Sequence, residues 1–309
     1  MRRFAILLAV LPLAGCFHDI HELPSGRHSS AQSPYSGESL LATTLVWEMP
    51  EDAGTSIHSL TLSAGGAVTP FTKQYKDAKE AASQLIPVSP GKIDILATVN
   101  MTDSDGFSLS GMPATRADAA VGDVVVSVKD PASSPAQAWF GVTGTEVKDR
   151  EITFAQAKLQ RLMSSFTLNL SNVPAGTRVE ITLSNVAQSV NLTAKDASGR
   201  WGLPSTDSVG PFVIAALSAA SDGPLKLDGF TVLPTALAFS RCILTIDVTS
   251  AGGNKTRSVC DAPHMDVGKG YTLNLDYTAL KPYMFLDTCS ISLWEDGWTV
   301  NGEILNPTE

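Results

Sequence analysis

Gln160-Arg-Leu-Met-Ser-Ser-Phe-Thr-Leu-Asn-Leu170 alternates along its length. Leu162, Ser164, Phe166, Leu168 and Leu170 fall on one side of an extended chain, and Arg161, Met163, Ser165, Thr167 and Asn169 on the other. A repeat of two is the mark of a strand with one buried face. Asn172-Val-Pro-Ala-Gly176 then supplies turn chemistry, and a second strand begins at Thr177–Leu183. This pattern predicts an all-β fold.

The same period recurs on both sides. Upstream, strands are expected at Ser39–Trp47, Ser59–Ser63, Lys92–Val99, Asp123–Val128 and Ala138–Thr143. Downstream they are expected at Phe212–Leu217, Arg241–Val248, Lys255–Cys260, Tyr271–Tyr277, Ser290–Trp294 and Thr299–Ile304. Only Lys73–Gln84 has helical spacing. With 24 Gly and 18 Pro among 309 residues, short strands between tight turns are favoured, as in β-sandwiches. The length suits two tandem domains, 39–156 and 157–309, divided after the polar stretch Thr143–Arg150.

The amino terminus reads as an address. Arg2 and Arg3 precede the apolar run Phe4–Leu11, and Leu13-Ala14-Gly15-Cys16 follows. The run is too short for the ~30 Å of a bilayer core, which makes residues 1–15 a signal peptide. The last four residues resemble the bacterial lipobox. That resemblance implies cleavage between Gly15 and Cys16, acylation of Cys16 (diacylglycerol and palmitate-type chains) and anchorage in the outer membrane. Residues 16–38, with Pro24, Pro34 and no hydrophobic period, form a tether spanning roughly 25 Å as a coil.

Charge excludes other classes. The net charge is −9, from 22 basic and 31 acidic residues, and it becomes −11 once Arg2 and Arg3 leave with the signal. No basic block follows residue 3, so nucleic acid is not a partner. No G-x-S-x-G, H-E-x-x-H or P-loop pattern occurs, and the chain is read as a non-enzyme that needs no cofactor and no metal. Asp103-Ser-Asp105-Gly106 has the start of a calcium loop without the rest, which favours an Asx-turn. His18 and His21 lie in the tether, and His264 lies in a solvated loop. Cys242 and Cys260 flank Ser250-Ala-Gly-Gly253 and are a candidate disulfide in a hairpin centred on Ala251; buried free thiols are the alternative, and Cys289 is left over. Asp207-Ser-Val209 matches a short O-glycosylation triplet, a pattern that chance readily produces.

Several segments together resemble the fimbrillin superfamily of Bacteroides-type bacteria. They are Cys16-Phe-His-Asp-Ile-His, Leu45-Val-Trp47, and Ile86-Pro-Val-Ser-Pro-Gly91 leading through Ile93-Asp-Ile-Leu96 to Asn100. Leu159-Gln-Arg161 running into Phe166-Thr-Leu-Asn-Leu170 matches the family's central L-x-R strand. Val267-Gly-Lys-Gly-Tyr271-Thr-Leu-Asn-Leu275, Ile291-Ser-Leu-Trp294-Glu-Asp-Gly-Trp298 and Asn301-Gly-Glu-Ile304 match its end. The resemblance implies two transthyretin-like β-sandwiches and a structural subunit of a fimbria or pilus, joined to other fimbrial subunits by β-strand exchange.

The chain departs from the polymerising members at one point. Their first strand is cut away at Arg or Lys, yet between Arg27 and Lys73 this sequence has neither. An anchor or accessory subunit, which keeps its lipid, is therefore expected on the cell surface or in the fimbrium. The alternative is a surface-tethered adhesion lipoprotein for host or glycan ligands, with Trp201, Trp294 and Trp298 as a stacking platform.

Overall fold

A computed structural model describes residues 37–66, 71–77, 80, 82, 85–112, 122–281, 283–286, 290–293 and 304–305. The chain is nearly all β, with its sheets layered as sandwiches, as the alternation predicts. In chain order the first strands are β1 (Ser39–Trp47), β2 (Leu60–Gly66), β3 (Phe71–Tyr75), β4 (Leu85–Val88) and β5 (Gly91–Val99). Then come β6 (Phe107–Ser110), β7 (Val125–Val128), β8 (Trp139–Val147) and β9 (Ile152–Arg161). The second half holds β10 (Ser164–Val173), β11 (Arg178–Ser184), β12 (Val186–Ala187), β13 (Ser189–Lys195), β14 (Trp201–Pro204) and β15 (Ser208–Val209). It continues with β16 (Phe212–Ser218), β17 (Gly223–Val232), β18 (Ile243–Thr249), β19 (Lys255–Asp261) and β20 (Lys269–Asp276). The last strands are β21 (Tyr283–Leu286), β22 (Ser290–Leu293) and β23 (Ile304–Leu305).

A seven-stranded sheet runs β3-β2-β5-β8-β9-β1-β4 and folds over into two layers. Strands β8 and β9 pair only at Trp139–Arg161 and Phe140–Gln160. Just beyond, a Cβ on Gly141 would stand 2.6 Å from the Lys158 carbonyl oxygen, so no side chain fits where the two strands part. The two halves meet across one core, with Leu60, Leu62, Ile93 and Ile95 on one side and Leu41, Ile86, Ala157 and Leu159 on the other.

The remaining sheets share a second core. It includes Phe107 and Val126 of the sheet β14-β13-β7-β6, and Phe166, Leu168, Tyr271 and Leu273 of β17-β10-β20-β22. Ile181, Leu244 and Ile246 of the sheet β16-β11-β18-β19-β21-β23 complete it. Leu96 and Phe140, from the back of β5 and β8, also enter this core. Each half thus has a first strand lying parallel to a late one: β1 along β9, and β10 along β20. Parallel neighbours need a long crossover, and here most of each half serves as that crossover.

Three sequence expectations change in detail. The Gln160–Leu170 stretch is not one strand, because β9 ends at Arg161 and β10 starts at Ser164. Between them the Leu162 N–H donates to the Ala138 carbonyl (2.8 Å) and the Met163 N–H to the Gln137 side chain (2.8 Å), which turns the chain from one sandwich to the next. Phe71–Tyr75, overlapping the expected helix Lys73–Gln84, is a strand because β2 offers it a full edge, from Leu60–Tyr75 to Ala64–Phe71. Helical conformation is described only at Glu80 and Ala82 within that stretch. Gln156 and Ala157, on either side of the expected boundary, both lie inside β9, and β13 of the second half pairs with β7 of the first.

Candidate functional site

The segment on which the sequence argument turns is the first strand. β1 lies parallel to β9 from Leu40–Ile152 to Trp47–Leu159, and antiparallel to β4 from Ser39–Val88 to Ala42–Leu85. Its inward face carries Leu41, Leu45 and Trp47 into the first core. Trp47 meets Trp139 edge to face, with ring centroids 5.6 Å apart at 82°. Such a pair stabilises by about 1 kcal/mol beyond its buried area.

Both ends of β1 are tied down. At the start, the Arg150 N–H donates to Ser39 Oγ (2.8 Å) and the Leu40 N–H to the Glu151 carbonyl (2.9 Å). At the far end, the Glu48 N–H donates to the Leu159 carbonyl (2.7 Å), and Lys158 Nζ reaches Glu48 Oε1 (3.1 Å). The chain then enters a 3-10 turn at Pro50–Gly54, which brings Glu51 and Asp52 over β9.

There a clasp forms. Arg161 Nη2 donates to Asp52 Oδ1 (2.7 Å) and to Glu51 Oε1 (3.1 Å), while Arg161 Nε donates to both Asp52 oxygens (3.1 and 3.0 Å). Trp139 Nε1 donates to Asp52 Oδ2 (2.9 Å). Asp52 is 4% exposed and Arg161 7%. A buried carboxylate is tolerated only with such partners. The arginine of the L-x-R segment therefore locks the loop after β1 onto the strand beside it. Sequence reasoning singled out Arg161 without its carboxylate partner, because nothing local pairs residues 109 positions apart.

One side chain in β1 runs against this economy. Thr43 faces the core, and its hydroxyl has no hydrogen-bond partner among the described residues. An unpaired buried hydroxyl costs about 1–3 kcal/mol. Thr43→Val is expected to raise the unfolding free energy by about 1 kcal/mol in urea titrations; a decrease would mean the hydroxyl is satisfied after all.

The candidate disulfide is corrected by register. Leu244 stands opposite Cys260, and the Ala262 N–H donates to the Cys242 carbonyl (2.9 Å). A loop over Ser250–Asn254, closed by the Thr249–Lys255 pair, shifts the hairpin by one residue from the expected centre and sets the cysteines two positions out of line. Both are free, buried thiols. Burial pushes the Cys242 thiol up to about 11, despite a contact with Thr235 Oγ1 (3.2 Å), and the Cys260 thiol up to about 12. The thiolate is the reactive form. At pH 8 both are expected to resist iodoacetamide in the folded protein and to react once guanidinium unfolds it. Labelling of the Cys242 and Cys260 peptides, read by mass spectrometry, checks this, and reaction in the native state would contradict the packing.

Other sequence candidates are placed as follows. Gly15, Cys16, His18, His21, Cys289, Trp294 and Trp298 lie outside the described residues. Asp103–Asp105 is a 3-10 turn closed by a Thr102–Asp105 capping box. His58 Nε2 lies 2.5 Å from Asp105 Oδ1, and Lys129 pairs with Asp103. Burial raises the Asp105 carboxyl, yet hydrogen bonds from Thr102 and His58 outweigh it and hold it below the usual range. These carboxylates already have protein partners. Lys195 Nζ sits 4.4 Å from the centre of the Trp201 ring, which occupies one face of that indole. His264 Nε2 is 3.6 Å from Asp266.

A shallow concavity of about 710 Å³ opens on the outer face of β16, β11, β18 and β19. Arg257 makes two hydrogen bonds to Asp247 there (2.7 and 2.8 Å), which hold the Asp247 carboxyl below its ordinary value. Arg178, Glu180 and Lys255 also line it, and its lining includes neither His nor Cys.

No family model matches the chain, and no curated protein matches it. Solved structures of similar fold include a candidate adhesin from Bacteroides thetaiotaomicron, at 9% identity and TM-score 0.48, covering 84% of this chain and 97% of that one. A candidate cell adhesion protein from Bacteroides eggerthii is similar at 12% identity and TM-score 0.48, over 83% and 94% of the two chains. The fimbrial anchor protein Mfa2 from Porphyromonas gingivalis is similar at 14% identity and TM-score 0.45, over 76% and 90%.

Proposed function

We propose that this chain is a lipid-anchored structural subunit of a surface fimbria, an anchor or accessory component that keeps its own first strand. The observation that carries the reading is β1 itself. It is paired along both edges at its start, tied at both ends and followed by the Arg161–Asp52 clasp, and no basic residue lies between Arg27 and Lys73. A protease specific for Arg or Lys cutting after Arg27 leaves β1 in its groove. Family-type strand exchange then runs through other edges. The short strands β22 and β23 sit at the margins of the two carboxy-terminal sheets, where an incoming strand pairs by backbone hydrogen bonds. Cys16 carries the lipid, and the partners are other fimbrial subunits.

The test is the amino terminus of the protein on cells. Fimbriae are purified from producing cells with no protease added, and the amino terminus of the chain is read by mass spectrometry. Acylated Cys16 on chains that travel with fimbriae is the expected result. A new terminus beyond residue 47 would make the chain a polymerising shaft subunit. Acylated chains that never travel with fimbriae would favour the surface-tethered ligand-binding reading.

A further inference from the structure

Phe154 is the most exposed large apolar side chain among the described residues, at 73%, and Ile152, two positions before it, is 41% exposed. Residues two apart on a strand share a face, about 7 Å from each other. That face is the one turned away from the core, since Ala155, Ala157 and Leu159 point inward. The patch lies where the described chain begins. Ile152 is paired with Leu40 and Phe154 with Ala42, and Gly37 lies just before the strand.

Two exposed side chains offer roughly 200 Å², far below the ~800 Å² per partner of a stable protein interface. A patch this small has use only where a surface is already held close. On the lipid-anchor reading, on which this inference rests, residues 17–36 connect the acyl group to this end of β1. An effective concentration set by so short a connection makes a weak contact persistent.

We infer that this end of the first sandwich rests on the phospholipid surface, with Phe154 and Ile152 seated among the headgroups. Charge does not drive the contact. The adjoining turn is balanced, with Lys148 3.7 Å from Glu151 and Arg150 3.7 Å from Asp149, and Lys158 on the same face pairs with Glu48. The contact is an apolar one, of the kind that amphipathic surfaces make with a bilayer interface, and salt leaves it intact.

The acylated full chain, purified from producing cells, is placed on vesicles of phosphatidylethanolamine and phosphatidylglycerol doped with phosphatidylcholine brominated near the headgroup. Phe154→Trp supplies the probe, and Val213→Trp is the control. Val213, 43% exposed, lies on β16 in the other sandwich. The emission added by the probe indole is expected to fall by about half or more, equally at roughly 1 M salt, where charge contacts are screened, while that added by the control indole stays unchanged. An unquenched probe on chains that carry the acyl group and float with the vesicles overturns this inference and leaves the anchor standing. If the chain purified from producing cells proves to carry no acyl group at Cys16, both are overturned. Protection of the probe from aqueous iodide that rises with protein concentration, without vesicles, assigns the patch to a second copy of the chain and also overturns it.

Discussion

Arg161→Ala is expected to lower the unfolding free energy by about 3–5 kcal/mol, the largest effect of any polar substitution in the first sandwich. The loss comes mainly from Asp52. Without the guanidinium, a buried carboxylate keeps only the Trp139 N–H at 2.9 Å, inside a site from which water is excluded. Asp52→Asn alone leaves Arg161 with Glu51 and should cost less. A double-mutant cycle on urea midpoints separates the pair from its surroundings: the double variant should be well more stable than the sum of the singles implies. Additive effects would show that the clasp does not act as a unit. The change should also raise the proteolytic sensitivity of residues 48–54, since the clasp is what holds that turn against β9.

Leu41→Ala is expected to cost about 2–5 kcal/mol. Leu41 is completely buried in the first core, beside Ile86 across the β1–β4 pair. A cavity there has rigid strands on either side and collapses poorly, which places the cost in the upper part of the range. Leu45→Ala, at a partly buried position of the same strand, should cost less. If β1 is a permanent part of the fold, both variants should unfold in one transition with the rest of the first core, seen as unchanged m values. A separate early transition in Leu41→Ala would mean that β1 leaves its groove independently, and would weaken the case for a retained first strand.

Much of the strand map is legible because alternation and turn chemistry are local. The expected Ser39–Trp47 strand matches β1 to the residue, and β5, β11, β16, β18 and β19 match to within about two, the usual scatter of element ends. β9 escapes a local reading for a chemical reason. Ala155, Gln156, Ala157, Lys158 and Leu159 alternate faultlessly, but they are strong helix formers and the inward positions are small. Pairing with β1, from Thr43–Ala155 to Trp47–Leu159, makes a strand of them. β13 and β17 escape it because each is fixed by a distant partner, β7 and β10.

The candidate site divides in the same way. Local sequence determined that the chain is β-rich, that β1 is a strand, and that no basic residue lies between Arg27 and Lys73. Tertiary structure decided what Arg161 is for, by bringing Asp52 and Glu51 to it across more than a hundred residues. It also decided that Cys242 and Cys260 are out of register, and that Phe154 is left facing outward. Alternation says which side chains share a face, because strand geometry alone fixes it. Which face is covered, and which charge waits beneath it, depends on contacts between segments remote in the chain, and no local period encodes them.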